Sequence, residues 1–264
     1  MKKLLYLIVF VLPVIWLQSC YSKSDSIAPG DGTTGVAGSY ARFMIVDDHL
    51  YVVDRESIKT YSIENPADPT FLNEQFIGSN IETIFNLGDR LFVGAGSGLY
   101  IYTISSTGIP QETGQFLYSS WEFGFEPCDP VVANEHYAYV TLNSTNRIQR
   151  CRVSVEEQIN RLNIFDISDV FHPQLVAWYE MYNPKGVGLD GNLLFLCEDS
   201  QGLKVFDVSD PENIVLLKHF SGFTAFDVIP LGGLLLVVGP DNVYQFDYTD
   251  LDNIVQISEI PLGT

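Results

Sequence analysis

"IFDISD" at Ile164 to Asp169 and "VFDVSD" at Val205 to Asp210 are one hexapeptide written twice, 41 residues apart. A looser third version, "QFDYTD" at Gln245 to Asp250, follows 40 residues later. Aligning the chain on this stretch brings out five copies, beginning "IKTYSIENPADP" at Ile58, "LYIYTISSTGIP" at Leu99, "LNIFDISDVFHP" at Leu162, "LKVFDVSDPENI" at Leu203 and "VYQFDYTDLDNI" at Val243. The steps are 41, 63, 41 and 40 residues, so the third copy carries an insertion of 22.

Each copy has a second apolar segment upstream: "LYVV" at Leu50, "LFVG" at Leu91, "AYVT" at Ala138, "LLFL" at Leu193 and "LLLV" at Leu234. A first segment precedes it, ending in a tight-turn pair: Asp47-Asp48, Gly88-Asp89, Asn134-Glu135, Asp190-Gly191 or Gly232-Gly233. Such residues tolerate positive φ or bond their own backbone, as a hairpin loop demands. A fourth segment, such as "QLVAWYEM" from Gln174, closes each copy.

Four short strands in about 40 residues, repeated, define a β-propeller blade. The third strand is apolar on both faces, Leu203 and Val205 on one and Phe206 and Val208 on the other, so neighbouring sheets must cover it. The expected fold is therefore all-β, a propeller of about five four-stranded blades, with repeats at about 40–80, 81–123, 124–183, 184–223 and 224–264. Closure is expected to rest on Tyr40 to Gly78 packing against Thr224 to Gly263. The aspartates of the hexapeptide, Asp166, Asp169, Asp207, Asp210, Asp247 and Asp250, read as turn caps at the end of the third strand, not as a catalytic or calcium-binding series.

The N-terminus is of a different character. "MKK" is followed by the 14-residue apolar run Leu4 to Leu17, too short for a comfortable membrane span and right for a signal peptide. It ends in "LQSC", Leu17 to Cys20, which resembles the lipobox of bacterial lipoproteins. That resemblance implies a signal peptide over 1–19, cleavage before Cys20 and a lipid on Cys20 holding the chain to a membrane. Residues 20–39 are polar and rich in Gly, Ser and Thr, and read as a tether of roughly 20 to 25 Å r.m.s. reach. The propeller then occupies 40–264.

The repeats themselves, "LNIFDISD" and "LKVFDVSDP" with their "LYVV"-type strands, resemble the LVIVD-repeat β-propeller proteins, many of them lipoproteins of Bacteroidetes-type bacteria. The likeness covers about Tyr40 to Thr264, although the first two copies have Ser62 and Thr103 in place of the later Asp. It implies an outer-membrane lipoprotein, periplasmic or surface-exposed, and no known enzyme activity.

The chain carries a formal charge of −19. Without Lys2 and Lys3, 12 basic residues face 33 acidic ones, a charge of −21 that excludes nucleic acid as a partner. No HExxH, GxSxG, GxxxxGK or CxxC pattern occurs, the four histidines have no metal-ligand spacing, and neither cofactor nor metal is indicated.

What is irregular lies in the third copy. Its entry loop "SSWEFGFEPCDP", Ser119 to Pro130, and its insertion "NSTNRIQRCRVSVEEQIN", Asn143 to Asn160, fall on the same face of a propeller. Cys128 and Cys151 sit in these two loops and are a candidate disulfide, while Cys197, inside an apolar strand, is expected to be buried and inert. Arg147, Arg150 and Arg152, followed by Arg161, gather on the insertion, with Trp121, Phe123 and Phe125 nearby on the entry loop. Such a patch suits an envelope protein partner or an anionic glycan, since guanidinium forks hold carboxylates and aromatic rings stack on sugars. The same arginines could instead pair with Glu122, Glu126, Glu156 and Glu157 and merely hold the insertion down. The alternative function, a carbohydrate- or lactone-processing enzyme working from the central channel, would draw on Glu82, Asp129 and Asp227 near the first strands, with channel carboxylates holding a metal.

Overall fold

The computed structural model describes residues 38–78, 80–118, 130–143 and 160–263. They form twenty strands in five antiparallel sheets of four, each sheet ordered as its strands follow in the chain. Blade 1 holds β1 (Phe43–Val46), β2 (His49–Val53), β3 (Ser57–Ser62) and β4 (Thr70–Phe76). Blade 2 holds β5 (Ile81–Leu87), β6 (Arg90–Ala95), β7 (Gly98–Ile104) and β8 (Pro110–Leu117). Blade 3 holds β9 (Val131–Ala133), β10 (Tyr137–Asn143), β11 (Asn160–Asp166) and β12 (Gln174–Glu180). Blade 4 holds β13 (Val187–Asp190), β14 (Leu193–Cys197), β15 (Leu203–Asp207) and β16 (Val215–Phe220). Blade 5 holds β17 (Asp227–Pro230), β18 (Leu234–Val238), β19 (Asn242–Asp247) and β20 (Val255–Pro261). The fold is the expected five-bladed β-propeller.

The blades stack through apolar joints. Tyr51 and Ile58 of blade 1 meet Ile84 and Val93 of blade 2. Phe92 and Ile101 meet Val131 and Val140 of blade 3. Tyr139 and Ile164 meet Val187 and Leu194 of blade 4, and Phe195 and Val205 meet Val228 and Leu235 of blade 5. Burying both faces is what lets β10 and β14 run as nearly unbroken apolar segments. Polar latches cross three of these joints: the Tyr51 hydroxyl donates to the Gly108 carbonyl at 2.7 Å, Tyr179 to that of Pro211 at 2.8 Å, and Tyr248 to Asp190 at 2.6 Å.

The seam between blades 5 and 1 is built differently from the expectation. Among the described residues no apolar cluster joins them. On the outward face of β1, Phe43 and Ile45 are 61% and 44% exposed, and β2 and β18 alternate between buried and partly exposed residues. Alternation of this kind marks a sheet covered on one side only. A polar contact from the residues before β1 reaches blade 5, the Ser39 hydroxyl donating to Asp227 Oδ1 at 3.1 Å, and the same hydroxyl accepts the Val187 N–H of blade 4 at 2.7 Å.

Two local features complete the blade. The third and fourth strands slip register at one equivalent point in all five blades, between Thr60 and Tyr61, Ile101 and Tyr102, Ile164 and Phe165, Val205 and Phe206, and Gln245 and Phe246. This β-bulge strengthens the local twist. The aspartates that follow cap their own turns: Asp166, Asp207 and Asp247 accept the N–H two residues on at 2.8, 2.9 and 2.9 Å, and Asp169, Asp210 and Asp250 repeat the bond one step later. The first hairpin turns agree with expectation at Asp47-Asp48 and Gly88-Asp89, but pairing of Asp190 with Leu193 moves the blade 4 turn to Gly191-Asn192. In blade 3 the Asn134 N–H bonds the Tyr137 carbonyl, so the central pair is Glu135-His136. Among the described residues no helix is long and apolar enough to cross a membrane.

Candidate functional site

The connections from each fourth strand to the next first strand, and from second to third strands, share one face of the ring, the mouth. At the mouth the joint between blades 3 and 4 turns polar. Thr141 and Asn143, continuing the face of β10 that carries Tyr139, meet residues 181–185 on the way from β12 to β13. The Thr141 hydroxyl donates to the Lys185 carbonyl at 2.7 Å, and Asn143 Nδ2 donates to Asn183 Oδ1 and to the Pro184 carbonyl, both at 2.6 Å. Asn160, at the far root of the insertion, donates to the Tyr182 carbonyl at 2.8 Å, and its own carbonyl accepts the Met181 N–H at 2.9 Å. Both roots of the blade 3 insertion are therefore clamped to one short connection.

That connection is held in turn by the β14 to β15 turn. Glu198 is 0% exposed, and its two carboxylate oxygens accept the Tyr182 N–H at 3.2 and 3.3 Å. Lys204 Nζ lies 3.2 Å from Glu198 Oε2. A buried carboxylate is tolerated only when paired and hydrogen-bonded in this way. Asp199, at φ 50°, accepts Asn183 Nδ2 at 2.6 Å, and its backbone pairs with Ala225. Lys185 is 8% exposed, and its Nζ stands 3.9 Å from Asp199 Oδ2. Burial pushes the Lys185 ammonium below the usual lysine range, and Asp199 partly opposes that.

Further round the mouth, Asp227 opens β17 beside Gly38 and Gly186, where a Cβ would run into its carboxylate or backbone. Burial pushes this carboxyl above the usual aspartate range, against the pull of the Val228 N–H, the Ser39 hydroxyl and the Tyr40 and Ser39 N–H groups. Cys197 is a buried free thiol, pushed well up by its burial and, secondarily, by Asp227. A thiol held protonated and enclosed is a small core residue. Among the described residues no three His, Cys, Asp or Glu side chains gather to form a metal site.

Of the residues singled out from sequence, Cys20, Trp121, Phe123, Phe125, Cys128, Asp129, Arg147, Arg150, Cys151 and Arg152 lie outside the described residues. Arg161 is described, its guanidinium 5.3 Å from the centroid of the Trp178 ring. Glu82 sits on β5 and Asp227 on β17. The clamp of Asn143, Asn160, Asn183, Lys185, Glu198 and Lys204 was not anticipated. Its signal is a charged pair, Glu198-Asp199, directly after a sealed strand, where blade 2 has the uncharged "GAGSG" of Gly94 to Gly98.

Fold and mouth together define a β-propeller with an elaborated third blade. No family model matches the chain, and no curated protein matches it in sequence. Among solved structures it is similar to a periplasmic gluconolactonase of Pseudomonas aeruginosa, PpgL, with TM-score 0.59 and 13% identity over 82% of this chain and 68% of that one. A Lactobacillus plantarum protein gives TM-score 0.59 and 16% identity over 81% and 68% of the two chains, and Saccharomyces cerevisiae Sqt1 gives 0.51 and 8% over 81% and 71%. The chain spans 60% and 69% of two further similar structures, a computationally designed protein and one from Desulfotomaculum acetoxidans. These likenesses concern the fold.

Proposed function

We propose that the chain is a non-catalytic propeller, anchored through a lipid on Cys20 at the outer membrane of a bacterial cell, that binds a partner protein or glycan at the mouth over blade 3. The observation that carries this reading is the clamp. Thr141, Asn143, Asn160, Asn183 and Glu198 bind the two roots of the insertion and the connection from β12 to β13 together, which is how a scaffold presents a loop. Arg147, Arg150 and Arg152, with Trp121, Phe123 and Phe125 on the neighbouring entry loop, supply the contact chemistry. The lipid anchor rests on Leu17 to Cys20.

The test compares the full chain in detergent with an R147A/R150A/R152A variant, on a glycan array and in pull-downs from envelope extract. Binding by the wild type and its loss in the variant support the reading; equal binding by both removes the arginines from the site. One observation favours a second reading, catalysis in the channel. Asp227, on a first strand, has its carboxyl held above the usual aspartate range by burial. Lactone hydrolysis by the wild type that is abolished in Asp227→Asn would establish that alternative.

A further inference from the structure

The four described lysines differ sharply in how well they are satisfied. Lys59 Nζ has Asp54 at 2.7 Å, Lys218 donates to the Asp252 carbonyl at 2.9 Å, and Lys204 has Glu198 at 3.2 Å. Lys185 is more buried than any of these, yet its nearest charged partner is 3.9 Å away, and among the described residues no acceptor lies within hydrogen-bonding distance of its Nζ. The Asp199 oxygen that faces it is already taken at 2.6 Å by Asn183. An ammonium has three N–H donors, and those of Lys185 are not among the buried polar atoms left without a partner, so they open to solvent at the surface of the joint, where an acceptor from outside can reach them. The usual remedy, a close carboxylate, is half supplied here.

The surroundings define what could complete it. Among the described residues Lys185 and Lys204 balance Glu198 and Asp199, which leaves no surplus of positive charge for a doubly charged phosphate, while one negative charge on a planar carboxylate answers the open donors of Lys185. Tyr182, three residues before Lys185, is 60% exposed at the rim of the same joint, with its ring free to lie against a sugar face. We propose that the mouth joint between blades 3 and 4 is a binding site for a sugar acid, with Lys185 Nζ as the donor to its carboxylate and Tyr182 as the platform for its ring. This rests on the binding reading given above and narrows its ligand to a carboxylated sugar.

The experiment follows the lysine itself. Reductive methylation with carbon-13 places a reporter on each amine of the full chain in detergent, and Lys185 is assigned by its loss in Lys185→Gln. Galacturonate is expected to shift the Lys185 signal saturably while galactose leaves it in place. In Lys185→Gln, galacturonate affinity is expected to fall roughly tenfold, the loss of one charge-assisted hydrogen bond. A Lys185 signal that ignores galacturonate, or that answers galactose equally, overturns the proposal, and Lys185→Arg, which keeps the charge, supplies the assignment where Lys185→Gln fails to fold. If the arginine variant loses glycan binding while Lys185 stays silent, the blade 3 face stands and this site falls. If Lys185 responds and the arginine variant binds as before, this site stands and the arginine face falls.

Discussion

Single residues set the chemistry of the mouth, and Glu198 is the one with most to lose. Removing it in Glu198→Ala strands the Lys204 ammonium and the Tyr182 N–H that it pairs. Because Lys204 retains some access to water, the cost is expected at about 2 to 3 kcal/mol, toward the low end for a broken buried pair. Thermal unfolding followed by circular dichroism should show a Tm lower by roughly 5 to 10 °C; no shift would mean that Glu198 is not paired as described. The turn aspartates act in the opposite part of the molecule. Backbone and hydroxyl donors at Ser168, Ser209 and Thr249 hold Asp166, Asp207 and Asp247 below the usual carboxylate range. A depressed folded value stabilises the fold above the unfolded value of 3.8, and that contribution is lost as pH falls through the folded values. The Tm gap between wild type and D166N/D207N/D247N should therefore be widest near neutral pH and shrink below about pH 4. A gap independent of pH would contradict these caps. That role was legible in sequence, since a recurring Asp before Ser or Thr at a strand end has a local explanation. The Lys185, Glu198 and Lys204 set was not, because Lys185 precedes β13, Glu198 follows β14 and Lys204 lies on β15, and only the pairing of these strands in blade 4 brings them together.

At the level of the element, the strand repeat was readable because all five copies keep the same order of apolar segment and turn. The bulge between third and fourth strands was not, because it changes pairing without changing composition. Blade stacking shows itself in Gly114 on β8, where a Cβ would run into the Val170 carbonyl oxygen of blade 3. Neither partner is a flexible side-chain end, so Gly114→Ala should force the two blades apart at a cost of about 2 to 3 kcal/mol. Urea denaturation would measure it, and a loss below about 0.5 kcal/mol would show that the joint yields easily.

Across the whole molecule, the seam separates the end blades from the middle ones. Leu194, fully buried between blades 3 and 4, should cost about 3 kcal/mol as Leu194→Ala, whereas Phe43→Ala on the exposed face of β1 should cost less than about 1 kcal/mol. Native-state hydrogen exchange should likewise release β1 and β17 to β20 before β10 and β14. Comparable costs at Leu194 and Phe43, with uniform protection, would mean that blade 1 packs on blade 5 as tightly as the others pack together. The number of blades could be counted from the repeat, but the quality of their closure could not. A blade's two faces read alike in sequence, and only the structure shows which face has a neighbour.

The central claim, that the propeller is a scaffold whose clamped insertion is its binding element, meets its most direct test in one deletion. Residues 144–159 would be replaced by Gly-Gly in the full chain, leaving Asn143, Asn160 and the connection that holds them, and both Tm and ligand binding would be measured. The expected result is a fold that melts within a few degrees of the wild type and no longer binds. Retained binding by a folded deletion variant would contradict it and move the site away from blade 3.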